Sequence, residues 1–386
     1  MLVFRMELSP GCVRECPACP HRELTPEQSK SEKLRWLKRD LSAWEHSIQP
    51  VRGGVARLHY REKVCLHAEW QQDHWAFGLL RPKRGNFKQK REKSVIDIPN
   101  CPIHAATVNT LIAALRTALP ERNQFPLVYL AVSGKLATFV LKTKECPPIP
   151  LLDWSALGLE GLYVNLNPAA GNRVFFNRGW KLIWGKQYSV ENGKQYGPES
   201  FRQQISGLHQ EAMTEAAAFL NPGPGDGVVD LCSGIGESLL LWKNLGAQSI
   251  GVELNYDALN CCATNVGQSA ALRGRVSERI PQLNQWIANL KIASNSRQNI
   301  LIYANPPRLG LEPAVTEWIA STARPARIAY LSCNPKTLAL DLNRLSSEYS
   351  VNRIAPYDFF PRTKHVEVLA LLSHRYLNGV NDRLIS

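Results

Sequence analysis

No stretch of this 386-residue chain approaches the roughly 18 uninterrupted apolar residues that a membrane-crossing helix needs. The first dozen residues, MLVFRMELSPGC, also lack the apolar core of a secretory signal. Both absences argue against a membrane span and against an exported, disulfide-stapled scaffold, so the chain is expected to be soluble and cytoplasmic. Internal repeats and low-complexity tracts are missing too, which disfavours solenoid and fibrous architectures. Acids are scarce beside bases, 33 Asp and Glu against 46 Lys and Arg, for a net charge of +13. That excess suits a polyanion better than a neutral small molecule, although many inert basic proteins share it. What remains is ordinary for a folded protein: 44% hydrophobic and 20% charged residues, over a length that suits two domains.

The pattern changes twice along the chain. Thr25 and Pro26 form a start signal for an amphipathic helix over 26–45, with Leu34, Leu37, Leu41 and Trp44 at helical spacing. Short alternating segments broken by Gly, Pro and Asn then run from about 51 to 151, a strand-rich pattern interrupted by a helix over 103–119. Further short strands reach about Gly185. From Ser200 onward apolar strands alternate with helices, which predicts a parallel, doubly wound sheet. The last two apolar runs, 349–360 and 365–374, have no helix between them and are expected to form a closing antiparallel hairpin. The expected division is a β-rich α+β domain over 1–188 and a Rossmann-like α/β domain over 189–386.

Residues 227–236, GVVDLCSGIG, read as a buried strand running into a glycine turn and then a helix. Gly234 and Gly236 let a ligand approach the backbone, but the third glycine of a dinucleotide fingerprint is missing, which disfavours NAD. Glu253 ends the next strand 23 residues after Asp230, where a carboxylate can accept from both hydroxyls of a ribose. Singly, the glycines would be a structural turn and the acid a solvated one. Together with NPP at 305–307 ending a later strand, they point to S-adenosylmethionine and a class I methyltransferase domain.

Cys333 lies in YLSCNP at the carboxyl end of a predicted strand, the edge where open α/β sheets bind ligands. Alone it would be read as a small buried hydrophobe. Its neighbours alter that reading. FRQQI at 201–205, DLCSGIG at 230–236, NPPRLGL at 305–311, LSCNPKTLALDL at 331–342 and FFPRTKHVEVLALL at 359–372 together resemble the RNA uracil-5 methyltransferase family, in order and in spacing. The resemblance is tight over the C-terminal half and loose over the N-terminal half.

The chemistry of that family demands such residues, because C5 of uracil is too weak a nucleophile to take a sulfonium methyl unaided. A thiolate adding to C6 places electron density on C5, which captures the methyl; a base then removes the C5 proton and elimination frees the enzyme. The resemblance implies Cys333 as the thiolate and Glu367 as the base. It also implies that Gln203, Cys232, Glu237, Glu253 and Asn305 line the methyl-donor site, with Asp230, Gly234 and Gly236 in the same turn. An ordinary thiol titrates near ~8.5, so Arg308 and Arg362 are candidates for the positive charge that favours the anion. Two positions depart from the family: Cys232 stands where an aromatic is usual, and Asn305 where Asp is usual. Asn305 can orient a ligand but cannot serve as an acid or base.

Cys12, Cys16 and Cys19 fall within eight residues, and without a secretory signal such clustering suggests metal ligands. Cys101, which opens CPIH, is the expected fourth, with Cys65 its competitor. Four thiolates suit an iron–sulfur cluster or zinc. Ribosomal members of the family resemble this arrangement, so a [4Fe-4S] cluster is favoured over zinc. The same C-x3-C-x2-C spacing occurs in radical S-adenosylmethionine enzymes, but Ala18 replaces their usual aromatic, and the next hundred residues lack the strand–helix alternation of a partial barrel. A binding factor that keeps the fold without turnover is the third alternative.

Residues 81–93, RPKRGNFKQKREK, carry seven bases and one acid between two strand-like segments and are expected to contact RNA phosphates. Trp70, Trp75 and Phe77 nearby are candidate stacking platforms, with core packing as the alternative. Reaching C5 and C6 requires a target uridine in a loop or flipped from its stack. Some family members carry an added β-barrel module ahead of the cysteines, and the stretch before Cys12 leaves no room for one. Cluster-bearing members of the family mostly resemble ribosomal RNA enzymes, so the resemblance implies ribosomal RNA as the expected substrate and transfer RNA as the second choice; a monomer is the expected state.

Overall fold

The computed structural model describes residues 7–53, 57–81, 94–171, 173–201, 203, 205–293 and 299–376. The first helix, α1 (Pro26–Asp40), starts on a capping box: Thr25 Oγ1 accepts from the Gln28 amide at 3.2 Å, and the Gln28 side chain accepts from the Thr25 amide at 2.9 Å. It stops at Asp40 rather than at 45, because Leu41 leaves helical geometry and a 3-10 turn over Ser42–Ser47 follows.

Seven strands then build one sheet: β1 (Lys63–Gln71), β2 (His74–Leu80), β3 (Val95–Asp97), β4 (Leu127–Ser133), β5 (Leu136–Leu141), β6 (Gly161–Leu166) and β7 (Trp180–Gly185), in the order β3-β2-β1-β4-β5-β6-β7. Every neighbouring pair is antiparallel except β5–β6. Helix α2 (Ala106–Ala118) buries Val108, Leu111, Ile112 and Leu115 against this sheet. It begins at 106 rather than 103 because the Pro102 and Ile103 carbonyls accept from His59 and Arg61 amides, each at 2.9 Å, and hold that segment extended. Trp75 and Phe77 are fully buried in the same core, and Trp70 packs edge-on against Trp75 at 5.7 Å. Packing, not base stacking, therefore accounts for Trp75 and Phe77.

A short hairpin follows, β8 (Ser189–Glu191) and β9 (Lys194–Tyr196). Its turn residues Asn192 and Gly193 both have positive φ, 49° and 73°, as a two-residue Asn-Gly turn requires. The remaining strands, β10 (Gly227–Leu231), β11 (Gln248–Glu253), β12 (Ala271–Arg273), β13 (Ile300–Ala304), β14 (Arg327–Ser332), β15 (Tyr349–Tyr357) and β16 (Glu367–His374), form a second sheet in the order β12-β11-β10-β13-β14-β16-β15. Neighbours from β12 to β14 are parallel, and β16 runs antiparallel to both β14 and β15.

Helices α3 (Ser206–Leu220), α4 (Glu237–Asn244), α5 (Tyr256–Asn265), α6 (Val276–Ala293), α7 (Pro313–Trp318) and α8 (Pro335–Leu345) cover this sheet. The two-residue period of the strands sorts its core into two layers. Val229, Leu231, Ile302 and Ala304 face one cluster; Val228, Leu301 and Tyr303 face the other. Strand β10 lies between β11 and β13 with the order reversing there, so the crevice at their carboxyl ends is where a doubly wound sheet binds its ligand. The sequence pattern grouped the first helix with the N-terminal sheet. Instead, Leu37 of α1 and Leu41, its C-cap, are fully buried in the core of the second sheet, together with Leu338 and Leu342 of α8. Among the described residues no helix is long and apolar enough to cross a membrane.

Candidate active site

Strand β10 ends at Leu231, and the chain turns through Cys232, Gly234 and Gly236 at φ of 68°, 57° and 85°. At Gly234 an added Cβ would meet nothing within 4 Å, so the backbone there is open to a ligand. Its amide donates to Glu253 Oε2 at 2.8 Å, and the Asn255 amide donates to Glu253 Oε1 at 2.6 Å. Each oxygen of Glu253 keeps a further lone pair for a hydroxyl donor. Gly236 serves a different purpose: a Cβ would lie 2.6 Å from Val266 and 2.8 Å from Cys262 Sγ, so this glycine lets α5 approach the turn.

A cavity of about 1570 Å³ opens at this edge. Gln203, Cys232, Gly234, Glu237, Glu253 and Asn305 all line it, and so do Cys333 and Glu367. Asp230 and Gly236, grouped with the cofactor ligands on sequence, do not. Asp230 is fully buried beneath the turn, where Trp242 Nε1 donates to it at 3.3 Å and burial pushes its carboxyl up to about 7. It buttresses the turn from below. On the cavity wall, Gln203 Oε1, Ser233 Oγ, Tyr303 OH and Glu367 Oε2 are buried and have no hydrogen-bond partner among the described residues. Orphaned polar atoms of this kind are costly, and four on one wall mark a place where a ligand supplies the partners.

Cys333 follows β14 directly and precedes Asn334, the N-cap of α8. Asn334 Oδ1 accepts from the Lys336 amide at 3.2 Å, while Asn334 Nδ2 and Thr337 Oγ1 donate to the Arg308 carbonyl at 2.9 and 3.2 Å. The start of α8 thus pins the loop that carries Arg308. Burial pushes the Cys333 thiol up to about 11, the Glu367 carboxylate adds to that, and the Arg308 guanidinium opposes it. Glu367 opens β16 at 2% exposure; burial lifts its carboxyl to about 7, again against Arg308. Arg308 is the cation the two groups share.

Arg362, the other candidate cation, is turned away from them. Its Nη1 donates to Ser9 Oγ at 2.7 Å and its Nη2 to the Arg22 carbonyl at 3.1 Å, which ties this loop to the N-terminal segment. Cys232, at the position usually aromatic in the family, is pushed by burial up to about 12 and is thus a neutral thiol at pH 7. Tyr303, Ser233 and His365 also line the cavity and were not singled out in the sequence. Tyr303 lies in β13 two residues before Asn305, which follows that strand, and this spacing is the signal that would have found it. His365 is pushed down to about 4, first by burial and then by Arg308, so its imidazole is neutral.

A second cavity, of about 290 Å³, is lined by Cys12, Cys16, Cys19 and Cys101. Gly11 makes that meeting possible: a Cβ there would lie 2.1 Å from the Asn100 carbonyl oxygen, so only glycine lets the loop close on Cys101. Arg22 secures the loop by donating to the Cys16 and Arg14 carbonyls at 2.6 and 2.7 Å. The competitor Cys65 touches the same cavity from β1, yet Cys12, Cys16 and Cys101 all raise the Cys19 thiol electrostatically while Cys65 does not. Among the described residues, no three His, Cys, Asp or Glu side chains are placed to hold a single metal ion. Arg308, Phe360 and His365 border both cavities. Of the basic run at 81–93, residues 82–93 lie outside the described residues.

Residues 282–375 match the family model described as tRNA (Uracil-5-)-methyltransferase. The 23S rRNA (uracil(1939)-C(5))-methyltransferases RlmD of Marinomonas posidonica and Burkholderia pseudomallei are 27% and 28% identical to this chain, over 95% of it and 81% of each of them. An uncharacterised RNA methyltransferase of Nostoc sp. is 26% identical over 95% of this chain and 83% of its own length. The crystal structure of Pyrococcus abyssi tRNA (uracil-54, C5)-methyltransferase in complex with S-adenosyl-L-homocysteine shares the fold, with a TM-score of 0.68 at 22% identity, covering 93% of this chain and 86% of that one. The matched segment carries β14, α8 and the final hairpin, which bring Cys333 and Glu367 to one cavity, and the likeness to the relatives runs nearly end to end; by these comparisons the chain is similar to RNA uracil-5 methyltransferases.

Proposed function

We propose that this protein methylates carbon 5 of a uridine in RNA with S-adenosylmethionine as donor, Cys333 acting as the transient covalent nucleophile and Glu367 as the base. The observation that carries the reading is the single cavity lined by Cys333, Glu367, the open backbone at Gly234 and the Glu253 carboxylate. Glu253 would accept from the ribose hydroxyls, while Gln203, Glu237 and Asn305 would line the rest of the donor site. The donor, when bound, supplies an electrophilic methyl group.

The protein's own part begins with the thiolate. The Cys333 sulfur bonds to C6, and the C5=C6 electron pair moves toward O4 as an enolate. The position of Cys333 at the start of α8, beside Arg308, favours the anion against its burial. C5 then takes the methyl, Glu367 takes the C5 proton, and the freed C–H electrons restore C5=C6 as the sulfur leaves. Asn305, having no ionisable proton, orients and does not titrate.

In the same reading the four cysteines hold a [4Fe-4S] cluster. Zinc, held by the same four thiolates, is the alternative. Four thiolates around a 290 Å³ space suit a larger group. We assign residues 1–188 to cluster and RNA recognition and 189–386 to catalysis, with the basic run at 81–93 on phosphate, acting as a cytoplasmic monomer. Ribosomal RNA is the favoured substrate, since the RlmD relatives span nearly the whole chain. Mass mapping of ribosomal and transfer RNA from a deletion strain tests this: one uridine should lose a methyl group, restored by the wild-type gene and not by Cys333→Ala. An unchanged methylation map would refute the proposal.

A further inference from the structure

The methyl donor's amino-acid end is a zwitterion, an ammonium and a carboxylate on one carbon, and a site for it needs one charge of each sign. The cavity holds such a pair. Lys194 opens β9 directly after the Asn192–Gly193 turn, and Glu237 opens α4 directly after the glycine turn of β10. Lys194 Nζ contacts Glu237 Oε1, and both side chains line the cavity, 26% and 37% exposed. The other Glu237 oxygen lies 3.7 Å from His209 Nδ1, and burial lowers the pKa of that histidine, with Glu237 opposing and Lys194 adding to the shift.

Another side chain also ties both elements together. Asn265 Oδ1 accepts from the Gln195 amide at 2.8 Å, and its Nδ2 donates to the Gln195 and Ile235 carbonyls, both at 3.0 Å. One side chain therefore fixes the hairpin and the glycine turn to α5, and presents Lys194 and Glu237 on a rigid frame. A partly exposed ion pair adds little to stability in any case. We infer that Lys194 binds the carboxylate of the donor's amino-acid end while Glu237 binds its ammonium, so that the four charges alternate around the pair. This assignment rests on the S-adenosylmethionine reading given above and adds Lys194, from outside the glycine turn, as a specificity-determining residue.

The test is calorimetric binding to the full-length protein of two probes, S-adenosylhomocysteine and its decarboxylated analogue, with wild type, Lys194→Met and Lys194→Arg, all checked by melting curves. Wild type should prefer S-adenosylhomocysteine by about tenfold or more, the worth of one charge-assisted contact. Lys194→Met should lose that preference by weakening S-adenosylhomocysteine alone, and Lys194→Arg should keep part of it. Equal weakening of both probes by Lys194→Met, or no weakening, overturns the assignment. So does a wild type that binds both probes equally well, a result that leaves the donor reading intact; a wild type that binds neither removes the donor reading as well.

Discussion

Lys33 of α1 and Asp358, the residue after β15, form an ion pair whose side chains are 0% and 8% exposed. Lys33 also donates to the Phe360 carbonyl at 3.2 Å, Tyr60 OH donates to the Pro361 carbonyl at 2.9 Å, and the His21 amide donates to the Arg362 carbonyl at 3.0 Å. The loop that delivers His365 and Glu367 to the cavity is thus held by the N-terminal segment, which also carries three of the clustered cysteines. A short loop between two strands has few interactions of its own to fix its course, and here another part of the chain supplies them.

Asp358→Asn should therefore destabilise the protein by about 3–5 kcal/mol, because it leaves the Lys33 ammonium buried without a counter-charge. The double variant Lys33→Met, Asp358→Leu removes both charges and should recover most of that loss. Denaturant titration of the three proteins decides it; a loss below about 1 kcal/mol for Asp358→Asn would show that the pair is solvated in solution.

The two groups at the reaction centre have separable duties. Cys333→Ala should abolish both methylation and the covalent protein–RNA adduct. Glu367→Gln should lower turnover by about 10²–10⁴-fold, the usual worth of a general base, yet still form the adduct, since sulfur addition and methyl capture precede proton removal. A denaturation-resistant protein–RNA band, strong for Glu367→Gln and missing for Cys333→Ala, is the expected gel result. No band with Glu367→Gln would place that residue before the methyl step.

Acidity follows from burial. Glu367 works as an anion and titrates at about 7, and Cys333 titrates at about 11. Below pH 7 both ionisations limit kcat/KM, so its logarithm should climb with a slope near two, falling to one between about pH 7 and 9. Arg308 lowers both values, so Arg308→Met should displace the whole profile to higher pH. A profile flat from pH 6 to 9 would contradict these assignments.

The same burial predicts a trade between function and stability. The Glu367 carboxyl is raised from an ordinary 4.5 to about 7, so the fold prefers its neutral form. That contribution is complete below 4.5 and is lost as pH rises from there to about 7. Glu367→Gln removes the ionisation and should stabilise the protein at pH 8 by up to about 3 kcal/mol, with little change at pH 4. Melting temperatures at the two pH values provide the check, and equal shifts at both would point to packing instead.

Sequence periodicity made the parallel sheet, the glycine turn and the positions of Glu253 and Cys333 legible, because a strand end at the sheet's carboxyl edge fixes where its next residue can reach. It was silent on partners. The apolar stripe of α1 was evident, but only the fold shows Leu37 and Leu41 packed against α8. Trp75 and Phe77 looked like stacking platforms because one strand does not reveal that α2 covers its face. Asp230 and Gly236 belong to the turn motif, yet one faces Trp242 and the other Cys262, a distinction set by tertiary packing. Arg362 and Arg308 were equivalent in sequence; the positive φ of 68° at Arg362 and its bonds to Ser9 and Arg22 turn it outward.

The cysteine cavity gives the last prediction. Cys101→Ser should strip the purified protein of iron and of its brown thiolate-to-iron absorption, whereas Cys65→Ser should retain about four irons per chain, because only Cys101 joins the charge coupling of the three clustered thiols. Since Arg308, Phe360 and His365 border both cavities, loss of the group should also loosen the loop leading to Glu367. Hydrogen exchange should therefore quicken over residues 358–366 in Cys101→Ser and stay unchanged in Cys65→Ser. Zinc in place of iron would correct the identity of the group, and faster exchange confined to residues 11–22 would show that the two cavities, though sharing a wall, are not coupled through it.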